Sequence, residues 1–119
     1  SFEDAFAFYR DQFNPAVSDE MVRFLTQAKR ELNLNILDRD RGPDKAWREL
    51  IARIACPFLL FTGNPERGAL VTEPAFEEAI KLAPQIERVH VDTVGHLIRY
   101  EAFDTYMAAL KPFLTEVYG

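Results

Sequence analysis

One cysteine, one tryptophan and five glycines stand among 119 residues, and no apolar run approaches the ~18–20 residues that a membrane span takes. The lone Cys56 excludes an internal disulfide and a cysteine-built zinc cluster. Its place beside Pro57, at the mouth of an apolar run, predicts a buried structural thiol. Positive charge is also scarce: 14 Lys and Arg face 19 Asp and Glu, for a net charge of −5. Binding nucleic acid needs clustered cations to neutralise phosphates, so nucleic acid is excluded as a partner. The opening Ser1-Phe2-Glu3-Asp4 lacks a basic stretch followed by an apolar one, so no signal peptide is expected. A reducing, cytoplasmic setting fits the single thiol. The missing initiator Met suggests a chain cut from something longer.

What is present is the composition of a globular domain: 48% hydrophobic and 28% charged, with ten Phe and four Tyr to be buried or covered. The first 43 residues read as helical. Ser1 can cap a helix bearing Phe2, Ala5, Phe6, Tyr9 and Phe13 near one stripe, ended by Asn14-Pro15. Ser18 can open a second, with Asp19 and Glu20 at its positive end and Met21, Val22, Leu25, Ala28 and Leu32 on one face. Asp38 to Pro43 is a charged, solvated turn. Asp44 can cap a third helix with Trp47, Leu50, Ile51 and Ile54 on its stripe.

From Cys56 the periodicity changes. Residues 57–62 are short and continuously apolar, which predicts a strand buried on both faces of a parallel sheet. Thr72-Glu73-Pro74 is a helix start, with Phe76, Ala79, Ile80 and Ala83 as the buried face and Pro84 as the stop. Residues 87–92 alternate: Val89 and Val91 point one way, Arg88, His90 and Asp92 the other. That predicts a strand near a sheet edge with one half-wet face. A last helix is expected from about Glu101, with Phe103, Tyr106, Met107, Leu110, Phe113 and Leu114 inward and a disturbance at Pro112. Two strands and a crossover helix do not make a self-sufficient sheet. Further strands are therefore expected from an absent half, a second polypeptide or another copy of this chain.

Cys56-Pro57 through Glu73-Pro74, then Gly95-His96-Leu97-Ile98-Arg99-Tyr100-Glu101 and a helix ending Pro112-Phe113-Leu114, resemble the carboxyl-terminal part of an α/β-hydrolase. The resemblance covers residues 44–119; residues 1–43 correspond only by position to the family's helical cap. The implied fold is α/β: two parallel strands with crossover and terminal helices, preceded by a cap-like helical segment. The implied activity is hydrolysis of a small, apolar ester-, amide-, halide- or carbon–carbon-type substrate, with no metal or organic cofactor.

His96 matches the family's general base, and a neutral imidazole suits proton transfer near pH 7. Gly95 would give a turn or close approach that a Cβ obstructs. The family's acid falls just after the strand's glycine, where this chain offers Asn64 and Glu66. Glu66 would orient the imidazole. If the position is instead Asn64, the site is impaired, since an Asp-to-Asn change in a triad costs about 10⁴ in rate. The nucleophile is the departure: no Gly-x-Ser-x-Gly occurs, and neither Ser1, Ser18, Asp38, Asp40 nor Asp44 sits at a strand-to-helix elbow. His90 and Asp92 share a strand face but lack a third metal ligand. Arg99 and Glu101 are candidates for ion pairing across loops or with a partner. The competing expectation is a non-catalytic interaction module, or degenerate remnant, that pairs through an open strand edge.

Overall fold

A computed structural model describes residues 1–33, 35 and 47–119. The charged turn from Asp38 and the Asp44 cap lie outside the described residues. The chain divides into two compact units, Ser1–Gly42 and Pro43–Gly119.

The first unit packs α1 (Phe2–Gln12) against α2 (Asp19–Arg30). Ser1 caps α1 in a reciprocal box with Asp4, and Ser18 accepts from the Met21 amide at the start of α2. Phe13 is extended, so α1 stops where Asn14-Pro15 follows. The aromatic stripe of α1 is covered by cations of α2: Arg23 stacks 4.1 Å over Phe6 and Lys29 4.1 Å over Tyr9. Arg23 also forks onto Glu3 at 2.8 and 3.1 Å. Val17, Val22 and Thr26 are the buried residues here, whereas Ala28 and Leu32, expected on the inner face, are exposed.

The second unit is mixed α/β. Helix α3 (Trp47–Ala52) precedes β1 (Phe58–Gly63), and α4 (Glu73–Leu82) crosses over to β2 (Ile86–Val91). A short α5 (Ile98–Glu101) and the long α6 (Phe103–Tyr118) follow. The strands pair in parallel, from Phe58 opposite Ile86 to Gly63 opposite Val91. Side chains therefore alternate between two faces. On one face Phe58, Leu60 and Ile86 meet Ala79, Ala83 and Phe76 of the α4 segment, with Trp47 and Ile51 of α3. On the other, Phe61, Val89 and Val91 meet Val94, Ile98 and Ala102. Tyr106 of α6 closes over Phe61 at 4.7 Å between ring centroids.

Several expectations need correction. Among the described residues β1 has one strand neighbour, so Phe58 to Phe61 are only half-buried rather than enclosed on both faces. Cys56 is exposed rather than buried. Leu50, Ile80, Phe103 and Leu114 also reach solvent; a two-stranded sheet is too narrow to cover whole helix stripes. The last helical stretch is broken at Ala102 (φ −136°, ψ 53°), which separates α5 from α6. Pro112 sits inside α6, and the helix runs on through it to Tyr118.

Candidate functional site

Parallel strands point their carboxyl ends the same way, so β1 and β2 deliver their exit loops side by side. The β1 loop is a 3-10 turn, Pro65–Arg67, capped by Asn64 and closed by Gly68 at φ 94°. The Asn64 side-chain oxygen accepts from the Glu66 amide at 2.9 Å, and its backbone carbonyl accepts from Arg67 at 2.9 Å and Ala69 at 3.2 Å. The two loops are stitched directly: the Asn64 amide donates to the Val94 carbonyl at 2.8 Å.

Two glycines make that approach feasible. A Cβ on Gly63 would lie 2.2 Å from the Gly95 carbonyl oxygen, and one on Gly95 would lie 2.1 Å from the Arg67 carbonyl oxygen. Both positions are buried, and neither has room for a side chain. The Gly95 amide donates to the Glu101 carboxylate at 3.2 Å, which ties the histidine loop to α5. Among the described residues neither Arg99 nor Glu101 forms an ion pair across loops. Arg99 donates to the Tyr100 hydroxyl at 2.8 Å instead.

His96 stands beyond this brace, exposed, on the wall of a cavity of about 500 Å³. Phe61, Leu70, Val71, Ile98 and Tyr106 contribute its apolar surface. Among the described residues no hydrogen bond or ion pair engages the His96 ring. Of the two acid candidates, Asn64 is occupied: its Nδ2 donates to Asp92 Oδ1 at 3.1 Å. An aspartate there would face Asp92 as a like charge, so the amide suits this position. The Glu66 carboxylate is exposed and free of partners among the described residues. It belongs to the stitched loop but does not line the cavity, and no hydrogen bond joins it to His96.

A second polar group lies on the α4 face, where β1 and β2 turn from apolar to polar. The buried Thr62 hydroxyl accepts from Arg88 Nε at 2.9 Å and lies 2.9 Å from His90 Nδ1. His90 Nε2 lies 3.6 Å from Asp92 Oδ1. Arg88 also forks onto Glu73 at 2.7 and 2.7 Å and stacks 4.1 Å over Phe76. The guanidinium holds the Glu73 carboxyl below its ordinary value of 4.5. Among the described residues no group of three or more His, Cys, Asp or Glu is placed to hold a metal ion, and no helix is long and apolar enough to cross a membrane.

Sequence reasoning missed Glu101 as the anchor of the histidine loop and Thr62 as the hub of the Arg88 network. The only signal for Glu101 was its spacing, six residues after Gly95. Compared with protein-family models, with curated proteins and with solved structures, the chain matches none.

Proposed function

We propose that this chain is the carboxyl-terminal part of an α/β-hydrolase, in which His96 is the general base and Glu66 its orienter. The nucleophile, a Ser or Asp, would come from strands that pair with the open edge of β1. The observation that carries the reading is the Asn64–Val94 stitch. It fixes a carboxylate-bearing turn against an imidazole-bearing turn at the carboxyl ends of neighbouring parallel strands. The exposed ring of His96, without a partner among the described residues, suits a base that meets its partners only when the site is complete. The substrate would be a small apolar ester, amide, halide or carbon–carbon compound, processed in the cytoplasm without a cofactor.

One observation favours a second reading. Glu66 is not bonded to His96, and Asn64 serves the loop rather than the ring. A non-catalytic remnant that pairs through the β1 edge would look the same at these positions.

Hydrolysis of 4-nitrophenyl acetate by the product of the entire open reading frame separates the two. The hydrolase reading expects turnover that falls on the order of 10⁶-fold on His96→Ala. Turnover indifferent to His96, or robust turnover by the 119-residue chain alone, overturns it. A reading frame with no strand–elbow–helix segment leaves the interaction module.

A further inference from the structure

The cavity beside His96 has a charge character opposite to that of the chain. The protein carries 19 Asp and Glu against 14 Lys and Arg, yet among the described residues no carboxylate lines this cavity. Its permanent charge is Arg99. The guanidinium stacks 4.7 Å from the Tyr100 ring centroid and gives one N–H to the Tyr100 hydroxyl. That contact orients the fork and uses one of five donors. Among the described residues no carboxylate pairs with Arg99, and its nearest acidic neighbour in sequence, Glu101, is engaged by the Gly95 amide. Beside Thr62 and His96, the lining includes an apolar wall with Phe61, Leu70 and Ile98.

We propose that this cavity binds small apolar molecules carrying a carboxylate, with Arg99 taking the carboxylate and the wall taking the hydrocarbon. An exposed ion pair alone is weak. A planar fork that accepts a carboxylate through two N–H groups, beside an apolar surface that buries the attached chain, gives both selectivity and affinity. Arg99 is then the specificity-determining residue of the site. The proposal rests on the hydrolase reading only for the reaction that follows at His96; binding does not require it.

The test is a proton–nitrogen NMR titration of the full chain with hexanoate, hexan-1-ol and hexylammonium. Hexanoate is expected to move the amide signals of His96, Ile98 and Arg99, and to bind about tenfold or more tighter than hexan-1-ol, with hexylammonium weakest. Arg99→Gln should bring hexanoate down to the affinity of the alcohol, and Arg99→Lys, which keeps the charge without the fork, should recover part of the difference. Equal binding of acid and alcohol by the unaltered chain, absence of saturable shifts, or an Arg99→Gln variant that still prefers hexanoate each overturns the proposal. The first two comparisons need no variant, so a misfolded substitution does not shield it. A preference for hexanoate without any His96-dependent hydrolysis sinks the hydrolase reading alone; His96-dependent hydrolysis without the preference sinks this inference alone.

Discussion

A Cβ on Gly63 would stand 2.2 Å from the carbonyl oxygen of Gly95, so the end of β1 and the start of the histidine loop are in backbone contact. The contact lies at the point where the Asn64 amide reaches the Val94 carbonyl. The position of the loop that displays His96 follows from it.

Gly63→Ala and Gly95→Ala are therefore expected to destabilise the second unit by about 1–3 kcal/mol each, because backbone rather than a pliable side chain must move. Gly68 makes a control of a different kind. A methyl added there would meet nothing within 4 Å, but the residue sits at φ 94°, so alanine costs only the left-handed strain, about 1–2 kcal/mol. Urea unfolding followed by the fluorescence of Trp47, which packs against the α4 face, reads all three. Ranking Gly68→Ala as the most damaging of the set would contradict the packing argument.

Glu101 accepts the amide of the buried Gly95. Glu101→Ala leaves that donor without its partner, at a cost of about 1–3 kcal/mol, whereas Glu101→Gln keeps a side-chain oxygen and loses less. Hydrogen exchange at the Gly95 amide should accelerate in the alanine variant and stay slow in the glutamine one. Equal exchange in both would show that Glu101 does not brace the loop.

Glu73 and Glu78 are both held below the ordinary carboxylate value, first by hydrogen bonds to Arg88 and Arg48 respectively, then by the positive charge of those guanidiniums. A carboxyl depressed in the folded state contributes stability above the unfolded value, near 4.5, and loses it as pH falls through the folded value. The second unit should thus weaken on acidification below pH 4.5. Glu73→Gln should be less stable than the parent at neutral pH, with the difference closing toward about pH 2. Trp47-monitored urea midpoints at several pH values check this; a gap that widens in acid would reverse the assigned sign.

Local signals in the sequence carried far. Ser1, Ser18 and Thr72 each cap the helix expected of them, and alternation in Arg88 to Val91 sorts that strand's two faces as the register does. What failed was anything that depends on how much surface a neighbour covers. Leu50 and Ile80 fall on apolar stripes, but a sheet of two strands leaves those edges wet. Cys56 reads as buried from its apolar company and is exposed. At the site, Gly95 was legible as a close approach, because lack of a side chain is a local property. The Asn64–Asp92 bond spans 28 residues and the Glu101–Gly95 bond six, and no periodicity announces such pairs.

The identity of the acid can be decided by two reciprocal substitutions in the product of the entire reading frame. Asn64→Asp would place a carboxylate against Asp92, where the amide now donates at 3.1 Å. Exposed charges interact weakly, so the expected loss of stability is about 0–1 kcal/mol. Because that side chain is directed to Asp92, no gain in ester hydrolysis is expected from it. Glu66→Gln removes the unengaged carboxylate of the same loop, and a triad that loses the charge of its orienter slows by up to about 10⁴-fold with little effect on folding. If instead Asn64→Asp raises the rate and Glu66→Gln leaves it unchanged, the orienting position is residue 64, and the amide now found there has switched off an ancestral site.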